Sequence, residues 1–298
     1  MAARWLQPFL AAPMALGLIV APLPPARALV PYVYTPRPVE LEGAGLGIAQ
    51  AAARLLRMGQ AEDAARLAAL TVRLLPNDPR GWVLLAEAQL RSRQTKPAAV
   101  SLARAKTLDP RNPGIWFAEG SLALRDGRPG DAIGLLEQGL KLEGNNAGAH
   151  FDLGNAYIQL GNQAKALAAF EQASRLRRDF WEAINNQGLV LFEQGQTGEA
   201  VGRWRRVLRI KPTAAEPMLA LAAGLYVAGG QGQGEAVELA SRALDADPNY
   251  VLDSYQKDQL WGPRLRSAAR VLFSDPSLKA SVERANANAN PDDSGNDD

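Results

Sequence analysis

The sequence predicts an all-α chain, a right-handed superhelical solenoid of about six helix-turn-helix units closed by a C-terminal helical cap. Alanines at Ala64, Ala98, Ala132, Ala166 and Ala200 each follow the last by 34 residues, and Ala236 follows after 36. Turn formers keep step with them. Gly59, Gly127, Gly161, Gly195 and Gly229 stand five or seven positions before those alanines, and Pro76, Pro110, Pro212 and Pro248 stand twelve after. Hydrophobic residues make up 47% and charged residues 21%, enough apolar material for a large core, while aromatics are only 6% and alanine, leucine and arginine dominate. That bias favours closely packed helices.

The elements follow in chain order. Arg4 precedes an apolar run from Phe9 to Ala21, interrupted by Pro13, and Ala26-Arg27-Ala28 supplies small residues in an A-x-A arrangement. Residues 1–28 therefore read as a secretory signal peptide. The run is about 13 residues, short of the ~17 to 25 that span a bilayer as a helix, so cleavage after Ala28 is expected and a retained membrane anchor is the alternative. An exported chain, in a periplasm or thylakoid lumen, is compatible with the absence of cysteine. Residues 29–44 form a proline-rich linker.

The repeat units run 45–78, 79–112, 113–146, 147–180, 181–214 and 215–250. Gly120, Gly154 and Gly188 on first helices and the alanine ladder on second helices let two helix axes approach closely. Asp78-Pro79 and Asn112-Pro113 each supply a capping side chain followed by the fixed dihedral that suits a first helical position. Thr213 with Glu216 has the spacing of a capping box. Each unit presents apolar faces to both sides, so the units must stack, and the stack makes a concave groove. Arg93 stands where the turn glycine is expected in the second unit, and Gly144 and Arg178 replace the closing proline of the third and fourth. A two-residue insertion in the glycine-rich turn 229–234 is expected to make the sixth hairpin the loosest. Beyond Pro248 the pattern degenerates into a cap, 251–284, with Gly262-Pro263 between two helical stretches, and the acidic tail 285–298 lacks apolar periodicity and is expected to be disordered.

The fourth unit carries Leu153, Gly154, Tyr157, Ala166, Phe170 and Ala173; the second carries Trp82, Leu85, Ala98, Leu102, Ala105 and Pro110; the third carries Trp116, Gly120, Gly127, Ala132 and Leu136. At a period of 34 these spacings resemble the tetratricopeptide repeat (TPR) family over residues 45–250. With its signal peptide and the Leu260-Trp261-Gly262 cap, the chain is also similar to exported TPR proteins of cyanobacterial type, some relatives of which aid photosystem assembly.

The resemblance implies that first-helix positions 2, 5, 6, 9, 12 and 13 face the groove. It thereby nominates Phe117, Leu124, Phe151, Asn155, Ile158, Asn185, Asn186, Leu189, Phe192 and Tyr226 as a peptide-binding surface of mixed apolar and amide character. Phe151, Asn155, Asn186 and Phe192 are expected at its centre. The lysine and arginine positions of the family's chaperone-binding clamp are not kept: Phe151, Glu216 and Ala220 stand there, which argues against a chaperone tail as ligand. Arg57, Arg91 and Arg125 recur at position 13 of the first three units, a column suited to an acidic stretch of client or to each helix's own C-terminal dipole.

Chemistry is not legible. There is no phosphate-cradling G-x-x-x-x-G-K-[ST], no cysteine and a single histidine, so neither a metal site nor a cofactor is expected. His150 occupies the position of Ile48, Trp82, Trp116, Ile184 and Met218, and reads as a packing residue. The balance of 33 Lys+Arg against 31 Asp+Glu gives no reason to expect nucleic acid as partner. The function expected is a non-catalytic adaptor or assembly factor outside the cytoplasm that holds a protein or peptide client. A membrane-associated scaffold with a retained signal anchor, organising an envelope or thylakoid complex, is the alternative.

Overall fold

The computed structural model describes residues 36–290. The expected signal peptide 1–28, the start of the linker and the last eight residues lie outside them. Every regular element among the described residues is helical. Six antiparallel pairs come first: α1 (Pro38–Arg57) with α2 (Ala61–Leu74), α3 (Pro79–Arg91) with α4 (Thr95–Leu108), and α5 (Pro113–Arg125) with α6 (Pro129–Leu142). They continue with α7 (Ala147–Gln159) and α8 (Gln163–Leu176), α9 (Trp181–Glu193) and α10 (Thr197–Ile210), and α11 (Ala215–Ala228) and α12 (Gln233–Ala246). Three further helices close the chain: α13 (Asp253–Asp258), α14 (Pro263–Phe273) and α15 (Lys279–Asn288). None of the described helices is long and apolar enough to cross a membrane.

The third, fourth and fifth pairs close by size complementarity between the eighth and twenty-fourth positions of the unit. Gly120 lies against Leu136, Gly154 against Phe170 and Gly188 against Trp204; a Cβ built on these glycines would come within 2.6, 2.4 and 2.5 Å of the partner side chain. Leu136, Phe170 and Trp204 are fully buried as a result. The alanine ladder Ala64, Ala98, Ala132, Ala166, Ala200 and Ala236 is wholly buried.

The turn inside each pair needs one left-handed residue. Gly127 supplies it at φ +68, as do its equivalents Gly59, Gly161 and Gly195 at +78, +73 and +83. Arg93 adopts the same conformation at φ 60, so the departure seen in the sequence is carried as backbone strain and not as a different turn. Between units, Asp78 and Asn112 accept from the backbone N–H of Arg80 and Gly114, as their capping role requires.

Four expectations are corrected. First, α1 begins at Pro38, so 38–44 are helix and not linker; the proline occupies the first helical position, where its missing N–H costs nothing. Second, Thr213 does not cap α11: the residue before that helix is Ala214, with no side-chain cap, and Glu216 turns elsewhere. Third, α15 runs to Asn288 with Ala285 buried, and Asn290 N–H donates to Asn249 Oδ1 at 2.8 Å, so order extends six residues into the expected tail. Fourth, His150 is a turn staple and not a core residue. Its Nε2 lies 3.2 Å from the Gly144 carbonyl, repeating the bonds of Trp82 to Pro76 O (2.9 Å) and Trp116 to Pro110 O (3.1 Å), each six residues back.

Candidate functional site: the inner face and its C-terminal occupant

The first helices α5, α7, α9 and α11 carry the nominated groove residues. In the third and fourth units these are accessible: Phe117, Leu124, Phe151, Asn155 and Ile158 are each half-buried. Phe151 leans on the core, its ring centroid 5.7 Å from Phe170 and 5.0 Å from Phe180. In the fifth and sixth units the expectation fails. Asn185, Leu189 and Phe192 are 1 to 2% exposed, Asn186 is 9% exposed, and only Tyr226 stays half-buried.

The reason is α14. This helix packs on α11 and reaches α9, two first helices, and so lies across the inner face. Its Leu265, Ala268, Ala269 and Leu272 recur at helical spacing, are buried, and share one apolar cluster with Leu189, Phe192 and Leu219. Polar contacts fix its place. Glu193 closes the N-terminus of α14 across 71 and 72 residues of chain, its carboxylate accepting from Leu265 N–H at 2.8 Å and Arg264 N–H at 3.1 Å. A carboxylate there meets both the free amides and the positive end of the helix. Gly262 permits the approach: any Cβ on it would fall 2.2 Å from Glu193 Cδ. The Arg264 guanidinium lies 5.5 Å from the Phe192 ring, and Tyr226 Oη donates to Asp275 at 3.0 Å just beyond the helix. Leu260, at φ 65, sets the left-handed turn that brings the chain back.

A line of polar side chains runs along the same face. Arg125 donates to the Leu90 carbonyl at the end of α3, tying the third unit to the second. Burial and the like charges of Arg93 and Arg91 lower its proton affinity, against the attraction of Asp152. Asp152 accepts from Ser121 Oγ, and burial pushes its carboxyl up to about 6 despite that bond and Arg125. Three residues along α7, Asn155 Oδ1 accepts from Asn186 Nδ2 at 3.1 Å, and Asn186 Oδ1 takes Asn185 Nδ2 at 3.4 Å. Asn185 bonds Glu216, whose Oε1 also accepts from Trp261 Nε1 at 3.0 Å. Burial raises Glu216 to about 7, against those two bonds. Tyr250, packed edge-on against Tyr255 at 5.0 Å, is pushed above the ordinary tyrosine range by burial and by the nearby Glu216.

Of the arginine column, Arg91 and Arg125 come close enough to interact, but Arg91 pairs with Glu87 at 2.9 Å and Arg125 serves α3. Arg57 is exposed on α1. Ser121 and Asp152 were missed in the sequence although they fall at the inward-facing positions 9 and 6. A charged residue at such a position, next to a hydroxyl one unit before it, was the available signal. Glu193, Trp261 and Gly262 carry no periodic signal for their partnership. Among the described residues no group of three or more His, Asp or Glu side chains is placed to hold a metal ion.

The family model of the tetratricopeptide repeat matches residues 123–185, which span the third to fifth units. No curated protein matches the sequence. Several solved structures share the fold. PilW, described as a widely conserved type IV pilus biogenesis factor, is 16% identical with a TM-score of 0.55, the match covering 75% of this chain and 97% of that one. TTC0263, a thermophilic TPR protein of Thermus thermophilus, is 21% identical with a TM-score of 0.54, covering 61% of this chain and 98% of that one. Pseudomonas aeruginosa pilF is 17% identical at 0.51, covering 83% and 98%. At these identities the likeness is one of fold. In its 34-residue period, in the matched residues 123–185 and in its stack of paired helices, the chain is similar to proteins of the tetratricopeptide-repeat family and shares their fold.

Proposed function

We propose that the chain is a non-catalytic adaptor or assembly factor outside the cytoplasm, and that the inner face of its third and fourth units holds a helical segment of a client protein. One observation carries the reading. The inner face of the fifth and sixth units already holds an amphipathic helix, α14, through Leu265, Ala268, Ala269 and Leu272 and a carboxylate at its N-terminus. The same face continues through Phe117, Leu124, Phe151, Asn155 and Ile158, where no described element covers it as α14 covers the units beyond. An apolar strip with amides beside it suits a helix laid into a groove, read by anchors at i, i+3, i+4 and i+7. The non-catalytic reading is supported by the fold, since tetratricopeptide-repeat folds generally serve as interaction scaffolds. PilW's description as a pilus biogenesis factor is a statement about that protein; here the likeness supports the scaffold. Export rests on the short apolar run and Ala26-Arg27-Ala28, and an intact mass beginning at Leu29 is the outcome expected.

A photocrosslinking residue at position 117 or 158 is expected to capture one and the same client from the native source, whereas the same group at Val100, exposed on α4, is not. Phe117→Ala combined with Ile158→Ala should lower capture about tenfold or more, since a buried anchor contributes roughly 2 kcal/mol or more to an interface. Equal capture from position 100 would remove the groove from the proposal.

A further inference from the structure

Away from the inner face, a cavity of about 600 Å³ opens between the second helices α8 and α10. Its lining is Glu171, Ser174, Arg175, Arg178, Gln187, Arg203 and Arg206, four guanidinium groups against one carboxylate. Only Arg203 approaches that carboxylate, at 3.9 Å. Arg206 Nη2 donates to the Arg178 carbonyl at 3.0 Å, which holds its fork over the turn after α8, and Arg175 rests on Gln172 Oε1 at 2.6 Å. Neither Arg175, Arg178 nor Arg206 has a carboxylate within ion-pair distance among the described residues. The floor is rigid: Gln187, 1% exposed, donates to the Phe170 carbonyl at 3.0 Å and to Ser174 Oγ at 2.9 Å.

We propose that this cavity binds a phosphorylated ligand through Arg175, Arg178, Arg203 and Arg206. The charge and the shape both select that chemistry. One carboxylate can satisfy a single guanidinium fork, whereas a phosphoryl group carries close to two charges and three acceptor oxygens and can bridge several forks. The cavity has the volume of a small-ligand site, and its residues come from two adjacent units, so the stack must form before the site exists. The site is independent of what the inner face holds.

The probe is sodium tripolyphosphate, titrated calorimetrically into the full chain at constant ionic strength. Saturable binding of one molecule per chain is expected. Arg178→Ala combined with Arg206→Ala should weaken it at least about tenfold, because each lost charge-assisted bond is worth about tenfold or more in affinity. Arg205→Ala combined with Arg209→Ala removes the same charge from another side of α10, where Arg205 pairs with Glu235 at 2.7 Å, and should leave affinity within about threefold of wild type. Flotation of the wild-type chain with phosphatidylcholine vesicles doped with phosphatidic acid, lost in the first double variant, identifies a lipid headgroup as the source; tripolyphosphate binding without flotation identifies a soluble phosphorylated ligand. Absence of saturable binding, or an equal loss in both double variants, overturns the site.

Discussion

Gly154 shows how much one atom decides. Its missing Cβ is the space that the Phe170 ring occupies, and a methyl group there would sit 2.4 Å from Phe170 Cε1. Gly154→Ala is therefore expected to cost ~1 to 3 kcal/mol, the usual penalty of overpacking a filled core. Gly134, an exposed interior position of α6, has nothing within 4 Å of a built Cβ. Gly134→Ala should stabilise by about 0.5 to 1 kcal/mol through reduced freedom of the unfolded chain. Urea denaturation of the two variants checks the pair, and shifts of the same sign would refute the size-complementarity account of the eighth position. The sequence placed Gly154 as a helix-approach glycine correctly. It said less about Phe192: that residue's periodic position was right, but its exposure depended on a helix with no repeat signature.

At the scale of elements, α11 and the cap meet through Glu216, whose carboxyl accepts from Trp261 and is held up at about 7 by burial. The folded state thus keeps a proton that the unfolded chain, at the ordinary value of 4.5, has already lost. This contribution to stability is greatest below 4.5 and falls as pH rises through about 7. Glu216→Gln is neutral at every pH and can still accept from Trp261. It should stabilise by up to ~3 kcal/mol above neutral pH and by nothing below the ordinary carboxylate value, as measured by denaturant midpoints across pH. Asp152, raised to about 6, acts in the same direction. Glu216 read from the sequence as one half of a capping box, because local spacing cannot report a tryptophan 45 residues away.

Across the whole solenoid, the apolar core is uneven. One cluster joins α9 through α15, from Leu189 and Trp204 to Leu272 and Ala285. The first three units hold smaller separate clusters, around Ala52 and Leu85, around Leu56 and Ala88, and around Leu102 and Ile115. In a stack where stability is a sum of unit and neighbour terms, opening should begin at the thin end. Native-state hydrogen exchange is expected to be slowest in α9–α12 and α14 and fastest in α1–α4. Uniform protection would show that the cap does not concentrate stability where it docks.

The sequence by itself determined the repeat, its period, the pairing of helices and their caps at Asp78 and Asn112. All of these follow from contacts within a unit or between adjacent units, which a fixed spacing records. Only the tertiary structure decided which inward positions remain available. The return of α14 onto α9 and α11 rests on single, non-repeating contacts of Glu193, Gly262, Trp261 and Asp275. The joining of Arg175 and Arg178 to Arg203 and Arg206 depends on two units stacking side by side. Such contacts span tens of residues without periodicity, and the chain must fold before they exist.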